Sequence, residues 1–223
     1  MRTELNRISQ IIQLAHSADD SNRVVYDLFC DHGKVGMELL KKGHRVFFND
    51  QVPHLVEEIR NKIEQRFIED RGIEHSRSYQ FLIEDARKLS FEENSLVICS
   101  GVGGLLLKEC LKLWKERHPE KHYRSLQFIL CPSYYDLELR HYLMTLGYTQ
   151  VEEILCRDRS RFYDIQKVEF KGPKESIEMI SRPKNEAFLE EFYKNRLTML
   201  ERKRVLSTWE QSLVDQFKSL LLM

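Results

Sequence analysis

The sequence predicts an α/β domain with a mostly parallel sheet, closed by an antiparallel terminal hairpin and followed by a C-terminal α-helical extension. Three observations predict it. Short apolar runs alternate with stretches of helical periodicity from residue 24 to residue 146, an order that implies parallel strands with crossover helices. Two further strand-like runs, Thr149 to Leu155 and Phe162 to Phe170, are joined by the turn Arg157-Asp158-Arg159-Ser160, too short for a crossover. From Asn185 to Leu222 apolar residues recur at three- and four-residue steps with almost no helix breakers.

Each element has a local warrant. Leu5, Ile8, Ile11, Ile12 and Ala15 share one helical face, which predicts a helix over residues 3–18. Asp19 to Asn22 form a turn, and Val24 to Cys30 reads as a buried strand. A helix follows from Lys34 to Lys42, stopped by Gly43. His44 to Asn49 is the second strand, and Pro53 suits the first position of a helix reaching Asp70. Tyr79 to Ile83, Ser95 to Ser100 and Leu126 to Leu130 are the next strands. Helices from Leu105 to Arg117 and from Asp136 to Leu146 follow the last two. Gly172-Pro173 and Ser181-Arg182-Pro183 punctuate the chain, dividing it into a domain over 1–174 and a helical segment over 183–223, either one long helix or a hairpin of two.

Composition narrows the function. The 223 residues suffice for one α/β domain and a small appendage. Lys+Arg and Asp+Glu number 35 each, so a nucleic-acid partner needs a local basic patch rather than bulk charge. The five cysteines form no C-x-x-C pair and four of them lie in strand-like runs, which predicts buried thiols in a reducing compartment and no metal site. The first twenty residues are amphipathic and carry acids, unlike a signal peptide, and no apolar stretch approaches a membrane span. These features predict a cytoplasmic protein, away from membranes; a monomer or weak dimer is the expected state.

The candidate chemistry lies at the carboxyl ends of the strands, where open α/β sheets bind ligands. The first strand ends in Asp27-Leu28-Phe29-Cys30-Asp31-His32-Gly33. Two acids and a glycine suit a ligand with a cationic amine and a ribose, such as S-adenosylmethionine (SAM), and would repel a pyrophosphate. The alternative is a polar turn in which Asp31 or His32 caps the next helix. The dinucleotide fingerprint G-x-G-x-x-G is absent. Asp50, followed by Gln51, ends the second strand and can accept ribose hydroxyls. Asp85, followed by Ala86, ends the third and either accepts an adenine amine or caps the next segment. Gly101-Val102-Gly103-Gly104 after the fourth strand either allow close backbone approach to a ligand or form a tight strand-to-helix turn. Tyr134 and Tyr135, after the fifth, can stack a flipped-out base. Arg157, Arg159, Arg161, Lys194 and Arg196, with interleaved Phe162, Tyr163 and Tyr193, are the candidate RNA-binding face, or else a solvated charged surface.

In this order the motifs resemble the bacterial tRNA (adenine-22-N1)-methyltransferases, the TrmK family. DLFCDHG (Asp27 to Gly33) is similar to the family's D-I-G-x-D-H-G, SGVGG (Ser100 to Gly104) to A-G-M-G-G, and FILCPS (Phe128 to Ser133) to L-x-L-Q-P-N. LRHYLMTLGY, VEEIL with RFYDI, and LNRISQII are similar to its later helix, final hairpin and opening helix. The resemblance implies a Rossmann-like class I methyltransferase sheet, SAM as cofactor and tRNA as partner. It implies that Asp27, Phe29, Asp31, His32, Gly33, Asp50, Gln51, Asp85, Ala86, Gly101 and Val102 hold the cofactor. Asp31 orients the target base or takes up a proton, with Gly101 and Tyr134 beside the reacting atoms. The sequence departs from the family at Phe29 (glycine in the family), Cys131 and Ser133 (glutamine and asparagine) and Val102 (methionine), and its C-terminal segment reads as shorter. A phenyl ring at Phe29 crowds the place where the glycine admits the methionine part of SAM. The other readings are a methyltransferase acting on another RNA base or a small molecule, and a catalytically silent RNA- or protein-binding module on this scaffold.

Overall fold

The computed structural model describes residues 6–16, 23–69, 78–172 and 188–222. The expected start of the first helix before residue 6, the turn Asp19 to Asn22, Pro173, Lys174 and Ser181-Arg182-Pro183 lie outside these residues. The elements run α1 (Arg7–Ala15), β1 (Val25–Leu28), α2 (Lys34–Lys41), β2 (Val46–Asn49), α3 (Pro53–Glu69) and β3 (Tyr79–Leu82). Then come β4 (Leu96–Ser100), α4 (Gly104–Arg117), α5 (Glu120–Tyr123), β5 (Gln127–Cys131), α6 (Asp136–Leu146), β6 (Tyr148–Asp158), β7 (Arg161–Phe170), α7 (Leu189–Glu201) and α8 (Thr208–Leu221).

The seven strands form one sheet in the order β3-β2-β1-β4-β5-β7-β6. The first five are parallel, and β7 runs antiparallel to both β5 and β6. The chain winds outward from β1 through β2 to β3, then returns to the other side of β1 as β4. The carboxyl ends of β1 and β4 are therefore the switch point where such sheets open a ligand cleft.

Apolar side chains alternate across the sheet and fill two layers. Tyr26, Leu28 and Phe47 face Leu107, Leu111 and Trp114 of α4 and Leu139 and Leu143 of α6. Val25, Val46 and Phe48 face Ile11 and Leu14 of α1, Leu39 of α2 and Ile59 of α3. Burial on both faces is why β1, β2 and β4 read as continuous apolar runs rather than alternating ones.

The C-terminal segment resolves as two helices packed together over Phe192, Leu200, Leu213 and Phe217, with Leu137 and Leu155 of the sheet domain in the same cluster. Ser207 and Glu210 form a capping box that starts α8, which is why the segment is a hairpin and not one long helix. His141 of α6 stacks on Trp209 of α8 at 4.5 Å, a second anchor to the domain. The terminal strands are longer than expected and turn tightly at Arg159, whose φ is 57°. Among the described residues no helix is long and apolar enough to cross a membrane.

Candidate active site

Three of the five residues after β1 take left-handed backbone conformations: Phe29 (φ 53°), Asp31 (φ 49°) and Gly33 (φ 67°). The turn curls back so that Cys30 N–H donates to Asn49 O of β2 and Gly33 N–H to Cys30 O. A left-handed non-glycine residue costs roughly 1–3 kcal/mol, so Phe29 and Asp31 are held there by their surroundings. Gly33 starts α2 with no side-chain cap, so neither Asp31 nor His32 is the helix cap. A Cβ on Gly33 would lie 2.9 Å from Ile59 of α3.

Asp27 is buried at the end of β1, and its Oδ2 accepts from Gly36 N–H at 2.8 Å. Burial raises its pKa from 3.8 to about 7, against the opposing hydrogen bond from Gly36. A Cβ on Gly36 would meet Phe48 at 2.3 Å and Asp27 Oδ2 at 2.8 Å, so α2 can dock here only with glycine at this position. Gly36 was not among the expected site residues; a glycine in the first turn of a helix was the available signal. Burial also pushes the Cys30 thiol up, and all five cysteines are buried and free.

Asp31 projects outward, its side chain 70% exposed and 3.7 Å from His32, which also faces Glu58 at 3.4 Å. Asp50 ends β2 with Oδ1 accepting from Val52 N–H at 3.0 Å and Oδ2 from Asp31 N–H at 3.3 Å, tying the first two strand-end loops together. Asn49 beside it donates to Leu82 O and Glu84 O and fixes the third loop. Asp85 caps the 3-10 turn Ala86–Lys88 and pairs with Arg87 at 2.7 Å, which holds its carboxyl below the usual range. Of the two readings of Asp85, the cap is the one seen, although the residue still borders the cleft. Ala86 is buried and its carbonyl accepts from Trp114 Nε1.

The loop after β4 is shaped by its glycines. Gly101 has φ 85° and donates to Cys131 O. A Cβ on Gly103 would lie 2.4 Å from the Tyr134 ring, and one on Gly104 2.1 Å from Tyr135 O. The glycines thus seat the Tyr134-Tyr135 loop on the N-terminus of α4.

These loops enclose two cavities. The first, about 420 Å3, is bordered by Asp27, Asp31, His32, Lys34, Gly101 and Ser133, with Arg7 of α1 at its edge. The second, about 380 Å3, is bordered by Asp50, Gln51, Asp85, Ala86 and Arg87. Phe29 and Val102 line both. Arg7, Lys34 and Ser133 were not among the expected site residues. Arg7 sits in the opening helix and packs over the Tyr163 ring at 4.8 Å, a placement no local spacing reveals. Tyr134 lies outside both cavities. It is 57% exposed and borders a separate apolar cleft of about 350 Å3 with Tyr135, Met199, Leu200 and Lys203.

The expected RNA-binding face is divided. Arg159 and Arg161 are exposed at the tip of the β6–β7 hairpin. The register of β7 against β5 puts that tip on the same edge of the sheet as the cleft. Arg157 pairs with Glu191 of α7 at 3.0 Å, and Lys194 is exposed beside Glu190. Arg196 is not available to RNA: it is buried, and its Nε donates to Asp136 at 2.7 Å. Helical periodicity places Arg196 on the same face as Phe192 and Leu200, so the correction follows from the packing of α7.

A doubly wound sheet with a strand-end cleft and a terminal antiparallel hairpin defines an α/β protein whose cleft lies at the topological switch point of the sheet. The chain belongs to the methyltransferase-domain family, whose model matches residues 5–166. Among solved structures it is similar to Sp1610 of Streptococcus pneumoniae in complex with S-adenosyl-L-methionine (17% identity, TM-score 0.72, covering 96% of this chain and 98% of that one). It is similar to M. capricolum TrmK in complex with S-adenosyl-homocysteine (12%, TM-score 0.68, 98% of each chain). It is also similar to the B. subtilis m1A22 tRNA methyltransferase TrmK (12%, TM-score 0.67, 98% and 96%). Coverage of this extent includes the C-terminal hairpin. No curated protein matches the sequence.

Proposed function

We propose that this chain is a SAM-dependent methyltransferase that modifies N1 of an adenine in tRNA. The observation that carries the cofactor assignment is the pair of cavities meeting at Phe29 and Val102. SAM has a matching shape: an amino-acid tail and a nucleoside joined at one sulfur. The second cavity suits the nucleoside, with Asp50 accepting the ribose hydroxyls and Gln51, Asp85 and Ala86 beside the base. The first suits the tail, with Asp27, Asp31 and His32 around the ammonium, while Gly33 lies outside the lining and serves the turn into α2. Arg7 and Lys34 are the cations for its carboxylate. When bound, SAM supplies an electrophilic methyl group.

The rest of the chemistry is positioning. Adenine N1 brings its own lone pair, so orientation and exclusion of water contribute most of the rate. Gly101 and Val102 shape the wall between the two reactants. Asp31, on the rim and exposed, accepts a hydrogen bond or a proton from the exocyclic amine. Tyr134 receives the ring of a base drawn out of its stack. Arg159 and Arg161 at the hairpin tip, with Arg157, which pairs with α7, and Lys194 of α7, are the cations for tRNA phosphates. The similarity to the B. subtilis m1A22 enzyme supports tRNA as the substrate.

Calorimetry tests the cofactor site. Wild type should bind SAM with micromolar affinity, and Asp50→Ala should weaken binding by at least about tenfold, or about 1.4 kcal/mol. A melting curve on the variant checks the loops that Asp50 ties. Absence of SAM binding by the folded wild type would refute the proposal.

A further inference from the structure

Phe29 stands at the junction of the cleft. The chain before it, Asp27, borders the first cavity, while Asn49 and Asp50 of the neighbouring strand end border the second. Phe29 itself borders both, and its side chain packs against the apolar layer that holds Leu28, Phe47 and Ala86. It does so from a backbone conformation, φ 53°, that glycine adopts without strain and phenylalanine does not. A bulky ring held at that cost, between the two halves of a bipartite cleft, marks a specific contact.

Resting on the cofactor reading above, we infer that Phe29 contacts the sulfonium of SAM and makes the cleft prefer the charged methyl donor over the neutral product, S-adenosyl-homocysteine. The sulfur is the atom that joins the amino-acid tail to the nucleoside. A ligand laid across the two cavities therefore puts its sulfur beside the residues shared by both. Of these, Val102 carries only methyl groups, whereas Phe29 carries an aromatic ring. An aromatic face attracts a cation that has lost its water shell, and the attraction disappears when methyl transfer removes the charge. Asp31 borders the first cavity and Asp50 the second, and both also favour a cationic ligand, but neither is shared by the two. The contribution of Phe29 is separable because it is local and depends on the ring. Its consequence is product release: the same side chain that holds the donor ceases to hold what remains after transfer.

The test is the ratio of SAM to S-adenosyl-homocysteine affinity, measured by calorimetry on full-length wild type, Phe29→Leu and Phe29→Gly. Leucine keeps apolar bulk and the left-handed strain but removes the ring; glycine removes bulk and strain together. The wild type should favour SAM, and in both variants the ratio should fall by about fivefold, within the range expected of a cation–π contact. Melting curves establish that each variant is folded, and glycine, which fits φ 53°, is the safer of the two. An unchanged ratio in both variants would overturn the inference and make the ring a filler. Binding of both ligands by Phe29→Gly but not by the wild type would also overturn it, since the ring would then be a plug. Failure of wild type and Phe29→Gly alike to bind either ligand would instead overturn the cofactor reading itself.

Discussion

Asp27 carries a carboxyl that burial holds near pH 7 at the point where β1 meets α2. Its effect on stability has a definite sign. The raised pKa means that, from about pH 4 to about pH 7, the folded chain keeps a proton that the unfolded chain has lost. Stability from this group is therefore greatest below pH 4 and falls as pH rises through 7, by up to about 4 kcal/mol for a shift from 3.8 to about 7. Asp27→Asn keeps an acceptor for Gly36 and cannot ionise. Denaturant titrations at pH 5 and pH 8 should show a smaller stability difference between the two pH values for the variant than for wild type; equal differences would contradict burial as the cause. At this scale the sequence was partly legible. The acids at the strand ends, Asp27, Asp31, Asp50 and Asp85, are where their spacing put them. Their division of labour was not legible, because it depends on how each loop folds back onto its acid: Gly36 N–H of α2 meets Asp27, Val52 N–H meets Asp50, and Arg87 meets Asp85.

The C-terminal hairpin is attached to the sheet domain by an apolar cluster and by one buried ion pair, Arg196 with Asp136. Burial raises the Asp136 pKa while Arg196 opposes that rise, so each group depends on the other. Asp136 directly follows Tyr134 and Tyr135, so the pair fixes this loop against α7. Arg196→Ala should cost about 3–5 kcal/mol by leaving Asp136 buried and unpaired. Asp136→Asn combined with Arg196→Met should recover much of that loss in urea titrations. A cost below about 1 kcal/mol for the single variant would show that the pair is not coupled. The helical character of this region was plain from its periodicity. Its break into two helices was readable only through the capping signal Ser207-x-x-Glu210. The identity of Arg196 as a docking residue rather than a phosphate ligand required the partner on α6.

Across the whole molecule, the alternation of apolar runs and helical faces specified a parallel sheet, and the short join after Cys156 specified its antiparallel edge. Five parallel strands with β7 inserted between β5 and β6 bear this out. What local pattern could not reveal is which loops converge: Arg7 from the opening helix and Ser133 after β5 reach the same cavity as Asp27. The sheet also brings the hairpin tip, with Arg159 and Arg161, to the edge where the cleft opens. One face of the sheet would then serve both cofactor and tRNA. The decisive experiment incubates the purified chain with methyl-labelled SAM and unmodified tRNA, then digests the RNA to nucleosides. If the chain methylates adenine N1 in tRNA, the label appears in 1-methyladenosine. Label in another nucleoside, or SAM binding with no label in tRNA, would contradict it.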